Sequence, residues 1–165
     1  MDDLWMREMT ARIAEPVAAL GARERIELMA DALEFAAYRS ATGLYRWFTP
    51  EVDRLLRTAL RTARAGAVPG SVGFEEFCDA IGPLIDVVSP ANSALLMTAM
   101  DLVSATVEGA RPGDVTNLLS NCYDVTMQAQ GFGRRITLAD QLGSEPCLEI
   151  IRQQQRLLAG ATPRD

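Results

Sequence analysis

The chain has 165 residues, about one domain's length, with 48% hydrophobic and 23% charged residues and a net charge of −6. It contains no His, and all 16 of its positive side chains are Arg. These absences exclude Ser-His-Asp and Cys-His nucleophiles, imidazole metal ligands, lysine Schiff bases and the P-loop.

An excess of 24 Ala and 19 Leu over 10 Val and 7 Ile favours helix over sheet. Leu4, Met6, Met9, Ile13 and Val17 recur at helical spacing, so a first amphipathic helix is expected, disturbed at Pro16. Gly21 separates it from a second, carried by Ile26, Met29, Leu33 and Ala36 and expected to run to about Leu44. Thr49-Pro50 reads as a cap followed by proline at the first helical position. The helix it opens, with Val52, Leu55, Leu56, Ala59, Leu60 and Ala63, ends near Gly66.

Residues 67–73 hold one Pro and two Gly and read as a loop. Phe74, Phe77, Ile81 and Leu84 form the next apolar face, with a kink or split expected at Gly82-Pro83. Ser89-Pro90 repeats the cap-plus-proline pattern before an Ala/Leu/Met-rich helix that runs through Val107. Arg111-Pro112-Gly113-Asp114 is a turn into a helix with Val115, Leu118, Leu119, Cys122 and Val125, closed by Gly131 and Gly133. A last helix spans about Pro146 to Leu158, and residues 160–165 read as a flexible tail. No segment alternates with period two for long enough to be a strand. The expected fold is all-α: a single compact bundle-like domain of six or seven helices over 1–165.

Three cysteines, Cys78, Cys122 and Cys147, are odd in number and far apart, which fits free thiols in a reducing compartment. The acidic start of the chain does not resemble the basic opening of a signal peptide. The longest uncharged run, 87–100, is 14 residues, short of the roughly 20 that cross a bilayer. These features point to a cytoplasmic protein.

Charge is unevenly distributed. Residues 1–66 hold ten Arg and ten acids; 67–133 hold eight acids and only Arg111, a net −7; 134–165 hold five Arg and four acids. The middle region contributes Glu75, Glu76, Asp79, Asp101, Glu108 and Asp124 as candidate contacts for a basic partner. The plainer reading is a solvated acidic face. Asp101 stands alone in an apolar helix, either buried and functional or simply on the surface. Asn117, Asn121, Asp124 and Gln128 share one face of their helix. That face would be a binding site if turned inward, and is otherwise the wet side.

Arg54, Arg57, Arg61 and Arg64 fall within roughly an 80° arc of one helix. Such a stripe suits phosphate, but it has no interleaved aromatics and the chain is acidic, so pairing within the protein or solvation is expected rather than nucleic acid. Tyr38, Tyr45 and Trp47, with Trp5, are candidate aromatic contacts. Tyr38 and Tyr45 are expected on one helical face, and Trp47-Phe48 alternatively forms a core wall. Trp5 either makes a dimer contact or pins the first helix.

The run Arg25-Ile26-Glu27-Leu28-Met29-Ala30-Asp31-Ala32-Leu33-Glu34, the Leu-rich helix 52–63 and Phe74-Glu75-Glu76-Phe77 come in a recognisable order. They precede the helix after Pro90, the helix around 115–128, and Glu145-Pro146, Glu149 and Gln153-Gln154-Gln155-Arg156-Leu157-Leu158. Over roughly 17–159 this order resembles the YjaG-like bacterial all-α family. The resemblance implies a helical fold and transfers no catalytic residue. The chain departs from that family's pattern in having no Lys and few aromatics. By size and charge it is also similar to bacterial immunity proteins that neutralise toxins, an analogy of class only.

The sequence therefore leads to a non-enzymatic protein that binds a basic protein partner through 67–133, with no cofactor, metal, nucleic acid or membrane. In its sharpest form it is an immunity-type inhibitor. Two other classes stay open. One is a structural homo-oligomer joined through helix 90–107 or through Trp5 and Trp47. The other is a carboxylate-dependent metal or small-molecule enzyme using Asp101 with Glu75, Glu76 or Asp79.

Overall fold

Side-chain caps start most of the helices. Asp3 accepts the Trp5 amide at 2.9 Å, Thr49 that of Val52 at 3.2 Å, Ser89 that of Asn92 at 3.3 Å and Ser144 that of Cys147 at 3.3 Å. Pro50, Pro90, Pro112 and Pro146 sit in first turns, where the missing N–H costs nothing. The structure, a computed structural model, describes residues 3–66, 73–131 and 136–161.

Among those residues the fold is all-α, with eight helices: α1 (Leu4–Ala19), α2 (Ala22–Glu34), α3 (Pro50–Ala65), α4 (Phe74–Ile85), α5 (Pro90–Glu108), α6 (Pro112–Gln128), α7 (Leu138–Leu142) and α8 (Glu145–Gly160). Short π-helical (Phe35–Arg39) and 3₁₀ (Leu44–Trp47) turns join α2 to α3. Most of the expected loop at 67–73, the expected stop at Gly133 and the tail residues 162–165 lie outside the described residues.

Three expectations need correction. The second helix does not reach Leu44. It widens into a π turn, where the Ser40 amide bonds Phe35 O at 2.8 Å, and then stops. Gly43, at φ 60°, turns the chain into the 3₁₀ segment, so Tyr38 and Tyr45 share no helix. Neither Pro16 nor Pro83 splits its helix: each forgoes one bond to the carbonyl four residues back, and only three residues of α1 and two of α4 follow it. No pattern in the sequence marks the short α7. Five residues are too few to show a period, and its start rests on the Thr137/Asp140 capping box.

α5 is the axis of the fold. It packs against α2, α3, α4 and α6. Leu95, Leu96, Ala99, Leu102 and Val103 are buried around it. A second group of contacts ties α1, α6, α7 and α8 together through buried polar groups. The Trp5 indole N–H donates to Gln154 Oε1 at 2.7 Å, and Gln154 Nε2 donates to Leu119 O at 2.8 Å. Gln141 Oε1 accepts from both the Leu4 amide (2.9 Å) and the Tyr123 hydroxyl (2.8 Å). Burial pushes the Tyr123 hydroxyl's pKa upward, which keeps it a donor. Trp5, 2% exposed, is thus an internal anchor and not a contact residue.

Gln154→Leu would strand the Trp5 indole N–H and remove the second bond to the Leu119 carbonyl, which keeps its intrahelical partner. An unpaired buried group costs about 1–3 kcal/mol, so urea denaturation should show a loss of about 1–3 kcal/mol. A loss below about 0.5 kcal/mol would contradict the anchoring role.

Candidate functional site

α5 is covered on every side but one. Along the uncovered strip lie Ala94, Met97, Asp101, Ser104, Ala105 and Glu108, at helical spacing. The walls are α4 on one side and the polar face of α6 on the other. Three depressions lie along the strip, each sharing one lining residue with the next, and together they outline a trough. The first, about 600 Å³, lies between Trp47, Val87, Val88, Asn92, Gln128 and Ala129. It shares Gln128 with a second of about 280 Å³, floored by Ile85, Ala94, Met97 and Met100 and edged by Asp101, Asn121 and Asp124. That in turn shares Asp101 with a third of about 120 Å³ among Glu108, Arg111, Asp114 and Asn117. At 1.5 Å per residue, the 19 residues of α5 make it roughly 28 Å long.

The trough runs from apolar to acidic. Trp47 and Val87 are each 76% exposed and Met97 53%, so its apolar end is open to solvent. Trp47 is therefore not a core wall. The chain leaves the 3₁₀ turn there, and Phe48 turns inward instead, edge-on to Tyr38 at 5.6 Å. Asp101 and Asp124 edge the trough's middle, Glu108 and Asp114 stand at the other end, and among the described residues Arg111 is the only cationic side chain that lines it. Arg111 pairs with Asp114 at 3.4 Å. Among the described residues no guanidinium pairs with Asp101 or Asp124.

Asp101 lies on the surface and accepts from Asn121 Nδ2 at 3.3 Å. Partial desolvation between the helices raises its pKa, and the Asp114 charge adds to that, against the Asn121 bond. Desolvation also raises Asp124, with Asp3 as the next contributor. Two carboxylates are thus held partly out of water, with no counter-charge among the described residues. The Asn117/Asn121/Asp124/Gln128 face is neither buried nor simply wet. It forms the trough's far wall.

The other candidates lie elsewhere. Glu75, Glu76 and Asp79 are exposed on α4 and do not line the trough. Among the described residues no group of three or more His, Cys, Asp or Glu could hold a metal. The Arg stripe is half neutralised, by acids of α2 and α3 rather than by the acidic middle region. Arg57 pairs with Asp53 at 2.9 Å and lies 4.7 Å over the Tyr38 ring. Arg64 pairs with Glu34 at 3.0 Å and Asp31 at 3.1 Å, which lowers the Glu34 pKa. Arg54 and Arg61 are exposed. Tyr38 is half-buried, donating to Asp53 Oδ1 at 2.8 Å, while Tyr45 is exposed outside the trough. All three cysteines are free; burial pushes the Cys122 thiol up to about 12 and leaves it unreactive at neutral pH. No helix among the described residues is long and apolar enough to cross a membrane.

Two residues of the site escape sequence reasoning. Asn92 looks like an ordinary first-turn residue three places after the Ser89 cap, and Met97 looks like any other core methionine. A polar side chain in the first turn of an otherwise apolar helix is the available sign for Asn92. A scan of protein-family models finds no match, and neither the curated proteins nor the solved structures contain a significant likeness.

A raised carboxyl pKa means that the folded state holds the proton more tightly than the unfolded chain. The ionised form therefore costs stability above the folded pKa, and that cost fades as pH falls through it. Asp124→Asn should raise Tm at pH 7 and lose the advantage below about pH 4, near the unfolded carboxyl value. If thermal melts at pH 7 found Asp124→Asn less stable than the parent, the carboxylate would have to be compensated after all.

Proposed function

We propose that this protein is a non-enzymatic binding module that holds a basic amphipathic segment of a protein partner in the trough along α5. The observation that carries this reading is the pairing of an open apolar floor with two desolvated, unpaired carboxylates at its edge. An apolar helix face covers the floor, as in helix-in-groove recognition. Cations on its flank relieve Asp101 and Asp124, which nothing in the described residues neutralises. The acidic excess of residues 67–133 raises the encounter rate with such a partner. An immunity-type inhibitor covering a basic toxin surface is the specific role this chemistry suits, in the cytoplasm.

An 18-residue Leu/Lys amphipathic peptide is about 27 Å long as a helix and matches the trough. Calorimetry should find micromolar binding at 50 mM salt that weakens at 300 mM. Asp101→Asn with Asp124→Asn should weaken it at least tenfold, about 1.4 kcal/mol. Glu75→Gln, Glu76→Gln and Asp79→Asn together should leave it unchanged. No binding, or equal affinity for the trough variant, would overturn the reading.

A further inference from the structure

Two methionines, Met97 and Met100, lie on the floor of the trough beside Ile85 and Ala94. A thioether suits such a floor, because the unbranched, polarisable side chain adapts to whatever covers it. It is also an apolar group that a mild oxidant turns into a polar one.

The methionines are not equally open. Met9 and Met29 are fully buried, and Met100 and Met127 are half-buried. Met97 is 53% exposed and Met6 51%. Met6 stands on α1 and lines none of the three depressions, and its sulfur accepts from the Thr10 hydroxyl at 3.8 Å. Met97 is therefore the exposed thioether within the trough. The thiols are poor competitors for an oxidant. Cys122 and Cys147 are buried. Cys78 is half-buried on α4, where burial and the charges of Asp79 and Glu75 push its pKa upward, against the thiolate that peroxides attack.

We propose that Met97 is an oxidation site and that its oxidation closes the trough to the partner segment, an inference that rests on the binding reading above. The oxidant is a peroxide. A lone pair of the Met97 sulfur attacks one peroxide oxygen, and the S–O bond forms as the O–O bond breaks. The sulfur loses two electrons, and the hydroxide released takes the proton carried by the transferred oxygen and leaves as water. The sulfoxide that results is polar. An apolar helix face laid over it strips water from its oxygen, and a polar group covered without a hydrogen-bond partner weakens binding. Methionine sulfoxide reductases reverse the change, so the closure is reversible.

Hydrogen peroxide treatment, with the added oxygen mapped by peptide mass spectrometry, should mark Met97 and Met6 well before Met9 and Met29. Calorimetry should then find the Leu/Lys peptide bound about tenfold more weakly by the treated protein. Methionine sulfoxide reductases should restore the affinity. Met97→Leu, which keeps the floor apolar, should bind the peptide and lose no affinity on the same treatment, while Met6→Leu should lose it as the parent does. The switch would be overturned, with the trough reading left standing, by any of three results: Met97 unmodified while Met9 and Met29 are oxidised, unchanged affinity with Met97 oxidised, or an equal loss in treated Met97→Leu. No binding by the untreated protein would overturn both.

Discussion

The rest of the structure is arranged around the burial of α5. A helix apolar around most of its circumference must be enclosed, and α2, α3, α4 and α6 enclose it. The small, fully buried Ala99 on its covered side lets those neighbours approach closely. Four helices do not close the circle. The strip from Ala94 to Glu108 stays open, and its residues alternate between apolar and acidic because it faces neither pure core nor pure solvent. The trough is the remaining gap in the packing around one central helix.

The polar network on the opposite side keeps that gap in shape. Gln154 joins the Trp5 indole on α1 to the Leu119 carbonyl on α6, and Gln141 joins Leu4 to Tyr123. Each bond is buried and directional, so α6 has little freedom to rotate about its axis. With Leu119 and Tyr123 turned inward, Asn121, Asp124 and Gln128 are turned to the trough. The rotation of α6 that places two carboxyl-bearing edges opposite each other is therefore fixed from its back, by residues that do not line the trough.

Local features are legible in the sequence and spatial ones are not. Thr49-Pro50 and Ser89-Pro90 mark α3 and α5 correctly because a cap and its proline act within one turn. The stop after Arg39 is hidden because a π turn continues the helical spacing of apolar residues while changing its hydrogen bonds. The excess of acids between 67 and 133 can be read directly. Their division into a trough set (Asp101, Glu108, Asp114, Asp124) and an exposed α4 set (Glu75, Glu76, Asp79) depends on helix rotation, which periodicity fixes only to within a face. Trp47 reads more readily as a core residue than as a contact because aromatic identity favours burial. Its exposure follows from the chain direction after Gly43, which no side-chain pattern encodes.

The most direct measurement is amide chemical-shift mapping of the ¹⁵N-labelled protein titrated with the basic amphipathic peptide. Occupancy of the trough predicts shifts concentrated at Ala94–Glu108 on α5, at Asn117–Gln128 on α6 and at the Trp47 indole N–H, with the Trp5 indole N–H unmoved. Shifts centred on Glu75, Glu76 and Asp79, or spread evenly over the acidic surface, would contradict the account.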